Sequence, residues 1–241
     1  MSITQNSTGL YVEAYDTYRR SLAEALKFAD PRFTNTATTN RRIELIEEAR
    51  KALLAKLPPA VSIPGTGQVA EATPNARQRL AASFQPTNAD EVAVQGREWD
   101  VARQLIAGGR SIEQVILSAS EQRLIAIVAN VELLPEAIQS INPDAFIREI
   151  QDLAIGRLAE LGHAGAAGVI RAEEGDQLAL AWRRVLSEAL EGAVSIPAMS
   201  ELYRVDPTGA ASITQSDEFI DSYKVDQEVV RLDRLARTNG R

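Results

Sequence analysis

Apolar residues recur along this chain at helical spacing almost from end to end. From about residue 9 to residue 29, Tyr11, Tyr15, Tyr18, Leu22, Ala25 and Ala29 stand four or three apart, which lines one face of an α-helix. Asp30-Pro31 ends it, because proline cannot continue the hydrogen-bond ladder. Residues 34–39 read as a polar connector, with Thr39 or Asn40 placed to cap a second helix carrying Ile43, Ile46, Leu53, Leu54 and Leu57. Pro58-Pro59 stops that helix. From Pro58 to Pro74 the helical period gives way to prolines and Gly65-Thr66-Gly67, a long loop of the kind that in compact proteins is functional or disordered. A short helix is expected over 75–84. Another starts at Thr87-Asn88, carries Val92, Trp99, Val101, Leu105 and Ile106, and closes at Gly108-Gly109.

Ser111-Ile112-Glu113-Gln114 has the form of a capping box ahead of an apolar run. The segment Leu124-Ile125-Ala126-Ile127-Val128-Ala129 is apolar nearly all round, which suits a helix encased by protein at the centre of the core. So β-branched a run also suits a strand; the caps and helical length of its flanks favour the helix. Asn142-Pro143-Asp144 supplies a cap, a first-turn proline and an acid for the next helix, with Phe146, Ile150, Leu153, Leu158 and Leu161 before Gly162. Small residues to Gly168 lead into a helix with Leu178, Trp182, Val185, Leu186 and Leu190, ended by Gly192. After a loop holding Pro197 and Pro207, a last helix over 216–237 carries Phe219, Ile220, Tyr223, Val230 and Leu235. The fold class expected is all-α, a bundle-like body of about seven to nine helices with two extended Pro-containing loops and polar terminal arms. The organisation expected is a flexible arm at 1–8, a helical hairpin at 9–57, a linker at 58–86, a main helical domain at 87–237 and a tail at 238–241.

Composition narrows the chemistry. The 241 residues hold 26 Lys+Arg against 33 Asp+Glu, one His and no Cys. That excludes disulfides, thiolate nucleophiles and cysteine-bound zinc. A net charge of −7 disfavours a general nucleic-acid binder, whose affinity comes from neutralising phosphates. No apolar run approaches the ~18–20 residues of a membrane span. The first residues are polar and uncharged, with no basic region before an apolar stretch, so no signal peptide is expected. The expected location is the cytoplasm, or a virion if the chain is a viral structural protein.

Candidate chemistry is sparse. His163 is the sole histidine, and no Gly-x-Ser-x-Gly turn accompanies it. A structural role at a helix C-terminus, bonding free carbonyls, fits it better than catalysis. Glu44, Glu47 and Glu48 share a helix, as do Glu173, Glu174 and Asp176, but flanking arginines mark both sets as solvated charged faces rather than metal sites. Gly65-Thr66-Gly67 lacks the Lys-Ser/Thr of a phosphate loop, and Gly162, Gly165 and Gly168 lack the strand that dinucleotide binding requires. Close helix packing or a flexible joint explains them better. No catalytic, cofactor-binding or metal-ligating residue is singled out, and no cofactor is expected. Residues 101–123 have the helix, glycine turn and capped helix of a helix-turn-helix, but the next helix is the most apolar of the chain, and a buried helix cannot lie in a DNA groove.

Two short texts repeat. Ala60-Val61-Ser62-Ile63-Pro64 returns as Ala193-Val194-Ser195-Ile196-Pro197, and Ser2-Ile3-Thr4-Gln5 as Ser212-Ile213-Thr214-Gln215. An Ile before Pro is biased to extended backbone. Either two helix exits of similar geometry use similar residues, or the repetition is coincidence, or these extended pieces pair with each other or with a neighbouring subunit through main-chain hydrogen bonds. Val61, Ile63, Pro64, Val194, Ile196 and Pro197 are therefore the candidate interface residues. The function expected is a non-enzymatic structural or assembly protein working through protein–protein contacts as a homo-oligomer or larger assembly, in the style of virion subunits such as bacteriophage connectors. The alternatives are a DNA-associated regulator using residues 101–123, and an enzyme with a carboxylate site in a helical cleft.

Overall fold

Side-chain caps decide where this chain's helices begin. A computed structural model describes the backbone of residues 3–58, 75–214 and 219–239, and the side chains of 8–58, 75–214 and 225–236. Every regular element among these residues is helical. In chain order they are α1 (Ile3–Lys27), α2 (Asn35–Leu54), α3 (Ala76–Ser83), α4 (Ala89–Ala107), α5 (Ile112–Leu117), α6 (Glu121–Asn130), a 3-10 turn (Val131–Leu133), α7 (Pro135–Gln139), α8 (Pro143–Glu160), α9 (Ala164–Glu191), α10 (Ile196–Val205), α11 (Pro207–Thr214) and α12 (Phe219–Asn239). The all-α expectation holds, with more helices than expected, several of them short. Asn88, Ser120 and Asn142 each accept from the amide three residues on, and Asn75/Gln78 and Ser111/Gln114 form reciprocal capping boxes. Gly109 (φ +92°) and Gly162 (φ +90°) close α4 and α8 with paired reversed bonds: Arg110 N to Leu105 O with Gly109 N to Ile106 O, and His163 N to Leu158 O with Gly162 N to Ala159 O.

Several boundaries differ from expectation. Residues 3–8, expected as a flexible arm, form the start of α1, which ends at Lys27 and leaves Ala29 exposed outside it. The connector at 34–39 is the first turn and more of α2: Thr34 accepts from Ala37 N at 3.2 Å, and nothing in Thr/Ala/Asn text breaks a helix once capped. The small residues up to Gly168 belong to α9, and the loop expected around Pro197 and Pro207 is two helices, each with its proline in the first turn, where no amide is needed. Within the repeated text, Ile3-Thr4 opens α1 and Ile213-Thr214 closes α11, so the likeness of these residues is not one of structural position.

Contacts divide the chain into two compact units: a terminal unit of Met1–Pro64 with Glu174–Arg241, and a middle unit of Gly65–Glu173. The expected hairpin at 9–57 and main domain at 87–237 are not separate bodies in this division. The reason is that α1 and α2 bury their apolar faces on the later helices: Tyr18, Leu22, Ile46 and Leu53 share a core with Trp182, Val185, Leu186, Leu202 and Leu232.

In the middle unit α6 packs between α4 and α8. Leu124, Ala126 and Ile127 are wholly buried among Trp99, Val115, Ile116, Ile150 and Leu158, with Ile125 half-buried and Ala129 exposed. The central apolar helix is thus where the sequence placed it. Arg77 on α3 forks onto Glu173 of α9 and reaches Asp152 Oδ1 on α8 at 2.5 Å. Gly165 fits under Leu80, whose Cδ1 would lie 2.9 Å from an added Cβ.

Asp206 joins α10 to α11 in the terminal unit. Its carboxylate accepts the Trp182 indole N–H at 2.9 Å and the Gly209 amide at 2.8 Å, while its own amide donates to Leu202 O at 2.7 Å. A methyl at Gly209 would sit 2.3 Å from Asp206 Oδ2 and 2.7 Å from Trp182 Cζ2. Gly209→Ala is therefore expected to destabilise the terminal unit by about 1–3 kcal/mol, the usual cost of overpacking, read as a lower denaturation midpoint by tryptophan fluorescence. In the middle unit, the Arg77 guanidinium holds the Glu173 carboxyl below its usual range. Its stabilisation is present above the ordinary glutamate value and is lost as pH falls through the lowered one. Urea midpoints for the native chain and Glu173→Gln should therefore differ at neutral pH and converge in acid.

Candidate functional site

The start of α10 is fixed by polar groups so that its apolar side chains divide between two faces. Ser195 Oγ accepts from Ala198 N at 3.3 Å and its amide donates to Glu188 Oε2 on α9 at 2.7 Å, which holds the Glu188 carboxyl below its usual range. Arg184 ties Glu188 to Glu201 on α10. With the far end anchored at Asp206, Ala198 and Leu202 turn into the core. Ile196, Met199, Ser200 and Tyr203, spaced as one helical face, turn the other way and line a groove of about 540 Å³. Its remaining wall comes from Tyr15 and Arg19 on α1, Val194, Ile213 on α11 and Asp226 on α12.

The groove is apolar at its rim and charged at one point. Ile196 is 83% exposed and Tyr203 48%. Arg19 Nη1 meets Asp226 Oδ1 at 2.5 Å across the α1–α12 seam. Burial pushes the Asp226 carboxyl above its ordinary value more strongly than Arg19 draws it down, and burial likewise raises the Tyr15 hydroxyl. A neighbouring open cleft of about 880 Å³ is lined by Arg20 and Arg204 together with Glu13, Asp16 and Glu174. Mixed charge of this kind selects no ion.

Of the interface candidates, Val194 is half-buried and Ile196 exposed, and both line the groove. Pro197 is exposed at the second position of α10 and is not among the lining residues. Val61, Ile63 and Pro64 lie outside the described residues. The extended conformation expected of Ile196 is not found: it is the first residue of α10, because the Ser195 cap and the Met199 N to Ser195 O bond together start a helix there. It offers no strand edge for main-chain pairing.

His163 stands at a helix start, not a helix end alone. Its Nδ1 accepts from Ala166 N at 3.1 Å, which caps α9 and places the neutral ring's proton on Nε2, 4.0 Å from Glu121 Oε1. Its ring lies edge-on to Phe84 at 5.5 Å. Glu44 and Glu48 pair with Arg41, and Glu47 with Arg50, while Glu173 is committed to Arg77. Among the described residues no group of three or more His, Asp or Glu could hold a metal, and no helix is long and apolar enough to cross a membrane. Across 101–123, Arg103 pairs with Asp100 and Arg123 with Glu98, and the helix that would have to read DNA, α6, is the buried one.

Sequence reading missed the buried Asp206, although Asp206-Pro207 repeats the cap-then-proline text of Asn142-Pro143. It also missed Leu133, Ile138 and Ile141, all strongly exposed; their neighbours Leu134 and Ala137 are the ones buried. No family model matches this chain, and neither a curated protein nor a solved structure is significantly similar to it.

Ser195→Ala removes the cap that sets the phase of α10. The expected cost is about 1 kcal/mol, with faster amide exchange at Ala198 than in the native chain.

Proposed function

We propose that this chain is a non-catalytic assembly subunit that binds further copies of itself through the groove beside α10. The observation that carries this reading is the groove's rim: Ile196 and Tyr203 stand exposed, with half-buried Met199 between them, over about 540 Å³ although the same helix buries Ala198 and Leu202. Scattered apolar side chains on a surface need no partner; a cleft lined by them, with an aromatic at its edge, has the makings of an anchor pocket. A second copy is the occupant because the chain carries a second apolar surface, in its middle unit, where Leu133, Ile138 and Ile141 stand exposed. Two such surfaces per subunit suit a ring, shell or tube, and a virion or connector-type subunit is one setting for that behaviour.

Light scattering coupled to size exclusion tests the reading. The native chain should run as a multimer at micromolar concentration, and Ile196→Glu/Tyr203→Glu should reduce it to the 26.2 kDa monomer with unchanged helicity. A native chain that stays monomeric across that range overturns it.

A further inference from the structure

We infer that α12 is a detachable helix covering a docking seat on α1 and α2, and that the same helix of a second copy fits that seat. All three helices belong to the terminal unit, and α12 packs on both of the others. Its sequence carries the pattern of a helix that lies in a groove. Val225, Val229 and Leu232 stand four and three apart in one stripe, and Asp226 and Asp233, two turns apart, border that stripe on one side. The seat supplies the complement. Arg19 of α1 meets Asp226, and Arg50 of α2 forks onto Asp233 at 3.0 and 2.7 Å. Both pairs place the base on the seat and the acid on α12, so the helix is selected by charge as well as by shape.

The hold is thin. Of the α12 side chains described, Val229 and Leu232 are the buried ones, whereas α9 buries Leu178, Trp182, Val185 and Leu186. Burial of the Asp226 carboxyl costs more than Arg19 returns, and Arg19 Nη2 is itself buried with no hydrogen-bond partner among the described residues. The core beneath is fastened by groups outside α12: Trp182 donates to Asp206, and the Tyr18 hydroxyl of α1 to Ala189 O of α9. Undocking of α12 therefore uncovers a seat and leaves the rest of the unit folded. A second copy's α12 is the occupant because it carries the same stripe and the same two acids, so exchange replaces each contact by an identical one. Within one chain the tether favours its own helix, and exchange emerges when that helix is weakened.

The probe is a dye-labelled peptide of Phe219–Asn239, added to full-length chains and followed by fluorescence anisotropy. Asp226→Asn/Asp233→Asn in the chain loosens its own α12 and leaves the seat intact. That chain, checked for helicity by circular dichroism, should bind the peptide about tenfold more tightly than the native chain does, or better. A peptide carrying the same two asparagines, and one with its residues in scrambled order, should both bind more weakly than the native peptide. No binding to either chain, a native chain that binds as well as the variant, or a control peptide that binds as well as the native one overturns the inference. Hydrogen exchange tests the native chain without any substitution: amides at 225–236 should exchange together and ahead of those at 178–189 in α9. Amides of α12 as slow as those of α9 overturn the inference too. The peptide reads the seat whatever the mass of the native chain, so these outcomes are separate from the fate of the groove beside α10.

Discussion

The carboxylate of Asp206 sets the geometry on which the rest of the terminal unit depends. It is buried, it accepts from the Trp182 indole and the Gly209 amide, and its backbone ends α10 while starting α11. A buried carboxylate without such partners would cost several kcal/mol, so the three groups are bound to one arrangement. Gly209 follows from it, since only a residue without Cβ fits against both Asp206 and Trp182. The rotation of α10 follows next. With Leu202 tied through its carbonyl to Asp206 and Ser195 capping the other end, Ile196, Met199 and Tyr203 have nowhere to face but the groove.

Several ion pairs in this protein link one helix to another. Arg19 with Asp226 joins α1 to α12, Arg50 with Asp233 joins α2 to α12, and Arg77 with Glu173 and Asp152 gathers α3, α9 and α8. These pairs are partly buried, and removing one member would strand the other in a poorly solvated seam. By contrast, the Arg41, Glu44 and Glu48 cluster on α2 lies on the surface, where such pairs contribute little.

Much of the fold was legible because helix starts are written in side chains. Asn88, Ser111 and Asn142 read as helix starts and cap them, and Gly109 and Gly162 read as stops, whereas sequence reading does not single out the Asn75 and Ser120 caps. The buried face of α6 was legible from its run of apolar residues. What was not legible depended on choosing between competing signals. Thr34 and Thr39 can both cap a helix by residue type, and it is Thr34, accepting from Ala37 N, that starts the longer one. Ile196 before Pro197 reads as extended, yet a capping serine one residue earlier outweighs that bias. Of the candidate site, Val194 and Ile196 were within reach of the sequence, whereas Met199, Tyr203 and Tyr15 join them only through the rotation of α10.

That rotation also separates what the fold requires from what it does not. The first position of a capped helix needs a residue with helical backbone and nothing more, and a polar residue would serve there as well as isoleucine. The bend after α7 needs Ser140 and Asn142 for its hydrogen bond, and makes no use of the Ile141 side chain. Both isoleucines therefore leave apolar surface in water that folding of one copy does not recover, on the order of 1.5–3 kcal/mol for each if buried elsewhere. Tyr203 adds an aromatic face whose hydroxyl can stay in water while its ring is covered. Ile196, Tyr203 and Ile141 are thus side chains whose apolar surface the folding of a single chain does not use.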